Sequence, residues 1–342
     1  MNINIEDPDE LKAYLVARGV LGQGDTIDVR TLAGGVSNRT VLFRLSEGRA
    51  WVIKQALEKL RVQVDWFSSP KRVINEGNGL IWLNRLAAPG AVPAFVFLDP
   101  EACVLAMEAV PDPHANLKEL LMTDAGGWKA VSQAAWLLAT IHRESSSQRE
   151  RVQPVFQDTT FFESLRLEPY YAYAAGCVPE AAEFLTALIA STREESHRHC
   201  LVHGDYSPKN MLVHGGKVIL LDHEVIHWGD PAFDVGFFLT HLLSKARHFP
   251  ERLEAFFEAA LHWWRIYSDA LGSGPWSGDM EVRCAQHLLA CLLARVAGRS
   301  PLEYLSVTER SAQRAAVVAT IRRLRESATV NETIHTLRQC LS

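Results

Sequence analysis

The chain has 342 residues, 48% of them apolar and 22% charged, with a formal net charge of −5. At roughly 100–200 residues per domain, this length suits two domains, each with its own core. The mildly acidic balance gives no basic footprint for nucleic acid or an anionic membrane. Apolar runs such as Leu288 to Ala294 fall far short of the ~20 residues a membrane-spanning helix needs. The opening residues lack a basic region followed by an apolar stretch, so no signal peptide is expected. The six cysteines, Cys103, Cys177, Cys200, Cys284, Cys291 and Cys340, form no C-x-x-C pair. That usage points to free thiols in a reducing cytoplasm, not to a disulfide framework or a zinc site.

Taken in chain order, residues 7–18 start with Asp-Pro, an N-cap and N1 pair, and continue with apolar residues at helical spacing. Residues 27–33, 40–46 and 50–56 read as strands joined by glycine-containing turns, with Val41, Phe43 and Leu45 on one face. Residues 70–88 return to helical period through Val73, Leu80, Leu83 and Leu86, and strand-like runs follow at 93–98 and 103–109. Beyond these, helical patterns dominate, at 128–145, 179–197, 250–271, 279–297 and 308–327. A hairpin within 200–224, where Met-Leu-Val and Lys-Val-Ile-Leu-Leu-Asp flank His-Gly-Gly, interrupts them. The expected architecture is α+β and bilobal. Residues 1–109 form a small antiparallel sheet with one principal helix, and residues 110–342 form a larger, mainly helical lobe.

The hairpin carries the strongest chemical signal. Asp205 in His203-Gly204-Asp205 precedes Asn210 by five positions, in a loop leading into a strand, and the second strand ends in Asp222. Folding the hairpin brings Asn210 and Asp222 to the same end of the ladder. There an amide oxygen and a carboxylate make an oxygen-only site suited to Mg2+, which takes few protein ligands plus phosphate oxygens. Asp205 beside that ion is placed to orient a hydroxyl nucleophile and take its proton. Ordinary turn chemistry explains either half alone; it does not explain H-x-D-x-x-x-x-N followed by strand, turn, strand and Asp.

The first lobe supplies matching parts. Trp51-Val52-Ile53-Lys54 resembles the V-A-I-K strand whose lysine meets nucleotide phosphates, and Glu76 on the following predicted helix is the expected partner of Lys54. Ahead of that strand, Gly34 and Gly35 permit close backbone approach to phosphate, with Ser37 and Asn38 as further donors.

In these motifs the chain, from about residue 27 to 305, resembles the aminoglycoside phosphotransferase and choline kinase superfamily, with some local similarity to methylthioribose kinases. The resemblance implies a protein-kinase-like fold and an ATP-dependent (or GTP-dependent), Mg2+-dependent transfer of phosphate. It implies Asp205 as catalytic base, Asn210 and Asp222 as metal ligands, and Lys54 with Glu76 as the phosphate-binding pair. Met107, Glu108 and Ala109 fall at the family's hinge, where backbone groups meet the adenine edge. His203 and Asp234 are expected to support the catalytic loop. Asp222-His223-Glu224 is similar to a D-x-E triplet, which makes Glu224 a second acidic contact near the metal.

Gly204 stands where protein kinases carry an arginine that answers a phosphorylated activation loop, and the short span from Asp222 to Asp234 has no room for a peptide-docking segment. The expected acceptor is therefore the hydroxyl of a small molecule such as an amino alcohol, a sugar or an aminoglycoside-like antibiotic. The aromatic run at 261–267 and Trp228 offer faces for a cationic acceptor, with core packing the stronger reading of the run. Arg295 resembles an arginine that meets substrate oxygens in methylthioribose kinases. His142, on an apolar helix, is expected in the core. The alternative to an enzyme is a nucleotide-binding pseudokinase or regulatory module that performs no transfer.

Overall fold

The structure, a computed structural model, describes residues 3–32, 37–45, 48–61, 66–123, 125–194, 198–276 and 278–341. The chain forms two compact units. The first comprises Met1–His114 with Ile219–Glu224, and the second Ala115–Val218 with Val225–Ser342.

In the first unit, helix α1 (Pro8–Ala17) starts where the sequence predicts. The Asp7 carboxylate accepts from the N–H groups of Asp9 and Glu10 at 3.0 and 3.1 Å, satisfying two donors that the first turn leaves unpaired. A five-stranded antiparallel sheet follows, built from β1 (Ile27–Thr31), β2 (Asn38–Leu45), β3 (Ala50–Ala56), β4 (Phe95–Asp99) and β5 (Val104–Glu108) in the order β1-β2-β3-β5-β4. Alternation along the strands divides its residues between two faces. Phe43 and Trp51 stack at 5.6 Å on one face and join Ile53, Val104, Leu11 and Leu15 in a core. Lys54 consequently points to the other face, toward helix α2 (Arg72–Leu86). Gly77 lets α2 approach the sheet closely, since a Cβ there would lie 3.1 Å from a methyl of Leu98. The segment 219–224 is tied to this unit by the Leu220 N–H, which donates to Ala91 O at 2.8 Å.

The second unit is mostly helical. Its centre is the helix Ala232–His248, in which every residue from Ala232 to Ala246 is buried. The helices Leu253–Leu271 and Met280–Ala297 pack on it, and Trp128–Ser147 packs on the first of these. The sequence pattern gives no helix at 232–248 because its polar residues, Asp234, His241 and Lys245 among them, are buried with the apolar ones, so no solvent-facing polar stripe marks it. The aromatic run belongs to the core: Trp263 and Tyr267 have no exposed surface and stack at 5.5 Å. A ten-residue π-helix, Glu163–Ala172, is a further element that periodicity does not reveal. Cys200, Cys284 and Cys291 are buried free thiols. Among the described residues no single helix is long and apolar enough to cross a membrane.

Three buried groups make this unit acid-labile. Burial pushes the imidazoles of His227 and His287 down to about 4, so folding holds them neutral while the unfolded chain protonates them below about 6.5. Burial would raise the carboxyl of Asp234, but the hydrogen bond and charge of His142 and the His203 N–H hold it below its ordinary value. The unfolded state therefore binds more protons than the folded one throughout the acid range. Stability present at pH 7 is lost as pH falls from 6.5 towards 4, by about 3 kcal/mol for each imidazole. The Asp234 contribution is lost below the usual carboxylate range. Urea midpoints measured across pH 4–7 check this, and His287→Gln should flatten the slope.

Candidate active site

In the first unit, Lys54 sits mid-strand, paired with Thr40 on one side and Leu105 on the other. Its Nζ donates to Glu76 Oε1 at 2.6 Å and Asp222 Oδ1 at 2.7 Å. Burial disfavours the ammonium, but the charges of Asp222 and Glu76 outweigh it and raise the lysine well above its ordinary range. Burial, with the charges of Asp222 and Glu224 and against Lys54, holds the Glu76 carboxyl up at about 7. Carboxylate oxygens of Glu76, Asp222 and Glu224 lie within 4.8 Å of one another. Asp222 has a left-handed backbone with φ of 67°, a conformation that Asp tolerates better than most side chains.

Glu224 is held by residues that motif reading does not single out. Arg72, fully buried, donates through Nε to Glu224 Oε2 at 3.1 Å and also bonds the carbonyls of Ser37, Leu57, Ser68 and Ser69. Asn38 Nδ2 donates to the same Glu224 oxygen at 3.1 Å and to Ser37 Oγ at 3.1 Å. Asn75 Nδ2 donates to the Glu224 carbonyl at 3.1 Å. The side chain of Asn38, expected at phosphate, thus faces an acid instead. Gly34 and Gly35 lie outside the described residues. At the expected hinge, Met107 is buried, and the N–H groups of Glu108 and Ala109 donate within the unit to Ala94 O and Ala50 O, each at 2.9 Å. Those two donors are therefore spent on protein partners and are not free to meet a base.

In the second unit, Asp205 is fixed from three directions. Its Oδ2 accepts from Asn210 Nδ2 at 2.8 Å and forms an ion pair with the Arg166 guanidinium at 3.1 Å, and its N–H donates to His203 Nδ1 at 3.2 Å. Arg166 also donates to Gly204 O at 2.6 Å. Asp205 Oδ1 has no protein hydrogen-bond partner among the described residues, and the side chain is 23% exposed. Arg166 was not singled out by the motifs; the available signal is a charged residue between Leu165 and Leu167 that a buried segment has to satisfy.

Asp234 braces the same loop. It accepts from the N–H groups of His203 at 2.7 Å and Gly204 at 2.9 Å, and it faces His142 Nε2 at 3.4 Å. Gly204 has φ of +75°, and a Cβ there would lie 2.7 Å from Val225 O. No side chain fits, least of all the arginine of protein kinases. Gly204→Ala should cost ~1–2 kcal/mol for the left-handed backbone alone and more for the clash, and should displace Asp205. Denaturation midpoint and turnover measured together check this, with both expected to fall.

Trp228 lies on the strand His227–Gly229, in a cleft with Arg149, Gln153 and His199 whose lining does not include Asp205. Arg295 is buried on the helix Met280–Ala297 and donates to Tyr170 Oη at 3.0 Å.

Residues 28–273 match the phosphotransferase enzyme family. The chain belongs to that family. It is 24% identical over 268 residues to methylthioribose kinase 2 of Oryza sativa subsp. japonica, a match covering 69% of this chain and 62% of that protein. Methylthioribose kinase 1 of the same plant is 25% identical over the same extent, so the chain spans 62% of the length of these curated relatives. Among solved structures, an amicoumacin kinase in complex with AMP-PNP, Ca2+ and Ami aligns with a TM-score of 0.57 at 16% identity, over 96% of this chain and 99% of that one. A choline/ethanolamine kinase family protein from Mesorhizobium loti aligns with a TM-score of 0.53 at 16% identity, over 97% and 99%. The phosphotransferase-family chain therefore has the kinase-like α+β fold expected from its motifs.

Proposed function

We propose that this chain is an ATP- and Mg2+-dependent kinase that transfers the γ-phosphoryl group to a hydroxyl of a small molecule. One observation carries the reading: the Lys54 ammonium held between Glu76 and Asp222 at 2.6 and 2.7 Å, in a chain that also carries a fixed, partly exposed Asp205. A buried lysine kept charged and immobile is a point cation for phosphate oxygens. The donor set near it fits magnesium, because it consists only of carboxylate oxygens and its three acids outnumber Lys54 and Arg72. Asp222 and Glu224 would hold the ion. When bound, Mg2+ neutralises charge on the β- and γ-phosphates.

In the transfer, the acceptor hydroxyl oxygen forms a bond to the γ-phosphorus while the bond from that phosphorus to the bridging oxygen of ADP breaks. The hydroxyl proton passes to Asp205 Oδ1. Arg166 and Asn210 bind the other oxygen of Asp205 and so set the direction of Oδ1, while Asp234 fixes the loop. Most of the rate enhancement in such a site comes from positioning and charge. A small acceptor is supported by the chain after Asp222, which runs through the strand His227–Gly229 directly into the helix starting at Ala232. Cytoplasmic location suits free thiols and an intracellular nucleotide.

A coupled assay of ADP release, with Mg2+ and a panel of amino alcohols, sugars and aminoglycosides, tests the reading. Acceptor-dependent ADP release is expected. Nucleotide binding without release for any acceptor would make the chain a nucleotide-binding module instead.

A further inference from the structure

We propose that the acceptor carries an anionic group, a carboxylate or phosphate, which binds Lys245 and Arg295 in the second unit; this rests on the phosphotransfer reading. The helix Ala232–His248 presents Phe237, His241 and Lys245 at four-residue spacing, hence along one stripe. The stripe begins beside the fixed carboxylate: the Arg166 guanidinium that pairs with Asp205 lies 5.8 Å from the Phe237 ring and 5.4 Å from the Tyr170 ring. Arg295 approaches the same Tyr170 ring at 5.5 Å. Further along, Lys245 Nζ lies 5.3 Å from the Tyr304 ring, which Lys118 also approaches at 5.9 Å.

Part of this set lacks partners: Arg295 Nη1 is taken up by Tyr170 Oη and by the carbonyl and hydroxyl of Ser300, which leaves its Nε for a ligand. Lys245 has no exposed surface, and its one hydrogen bond among the described residues goes to His241 O at 3.1 Å. The nearby Glu303 already pairs with Lys118. Arg295 Nε, His241 Nε2 and the Tyr304 hydroxyl are shielded from solvent and have no hydrogen-bond partner among the described residues, and both Arg295 and His241 are more than nine-tenths buried. A buried ammonium without a carboxylate is costly. Burial and the charges of Lys118 and Arg295, against Glu303, push Lys245 down to about 7. Burial, then Lys245, Arg295, Lys118 and Lys209, drive the His241 imidazole well below its ordinary value. Several donors and surplus positive charge meeting in one place are the complement of an oxyanion, which accepts charge-assisted hydrogen bonds from all of them. A cationic amino alcohol or aminoglycoside would be repelled there.

Two arms test this on the full chain. In the first, inorganic phosphate at constant ionic strength is added during thermal unfolding of wild type and Lys245→Met. The substitution replaces an unpaired buried ammonium by an apolar chain of similar length, so the variant should fold and unfold at a higher temperature without ligand. Phosphate is expected to raise the wild-type midpoint and to lose most of that effect in the variant; phosphate bound only at Lys54 would protect both equally. In the second arm, glucuronate, glucose and glucosamine are compared as acceptors, with kcat/KM for glucuronate at least about tenfold above glucosamine and lost through KM in Lys245→Met. Equal phosphate protection of both proteins, no protection of either, or preference for glucosamine overturns the inference. Protection confined to wild type with no ADP release from any acceptor leaves the anion site standing and removes phosphotransfer. Amine acceptors turned over without phosphate protection do the reverse.

Discussion

Asp205→Asn should lower kcat by about 10²–10⁴-fold, the range typical of a lost general base, while leaving nucleotide affinity nearly unchanged. Asn keeps the shape of the side chain, and its amide oxygen can still accept from Asn210, held at 2.8 Å in wild type, while the charge that faces Arg166 at 3.1 Å is lost. What disappears is the proton acceptor at the second oxygen. Asp205→Ala provides the contrast. It leaves the largely buried Arg166 and the Asn210 amide with no oxygen at all and should cost about 1–3 kcal/mol more stability than the Asn variant does. Measuring kcat, nucleotide affinity and urea midpoint for both variants separates chemistry from support. An Asn variant with wild-type turnover removes Asp205 from the mechanism.

The second large effect is an asymmetry within one ion cluster. Lys54→Met leaves Glu76, Asp222 and Glu224 together with Arg72 as the remaining cation, and uncompensated buried charge of this kind costs about 3–5 kcal/mol. Glu76→Gln removes only one acid, from a site where burial and the neighbouring charges of Asp222 and Glu224 already hold that carboxyl up at about 7. Lys54 retains Asp222 at 2.7 Å. The Gln variant is therefore expected to stay within about 1 kcal/mol of wild type in stability, although both variants should lose turnover, the Met variant because the ammonium is gone and the Gln variant because the ammonium no longer has its two-sided clamp. Equal destabilisation by the two substitutions would mean that Lys54 and Glu76 act as an isolated pair.

Much of this was legible in the sequence where local rules act. The strand Ala50–Ala56 has the bounds expected of 50–56, since Trp51 and Ile53 alternate with Lys54, and Asp7-Pro8 caps its helix as the residue types require. The acids of the hairpin were visible because their spacing is set by a tight loop. What escaped depends on partners distant in sequence. The helix around Asp234 is buried on every side and so loses its period, and Arg166 stands on a π-helix whose turn differs from the 3.6-residue repeat. Arg72 was invisible because its work is to satisfy carbonyls and Glu224, which no motif encodes. The cluster of His241, Lys245 and Arg295 was likewise divided between two helices.

Phosphorus NMR of a complete reaction tests most directly whether a hydroxyl that gives its proton to Asp205 receives the γ-phosphoryl group. With ATP, Mg2+ and an accepted hydroxyl compound, the wild-type chain should produce one phosphomonoester for each ADP, and Asp205→Asn should produce neither at a comparable rate. ADP and inorganic phosphate without a phosphomonoester, or equal phosphomonoester from wild type and variant, would contradict that transfer.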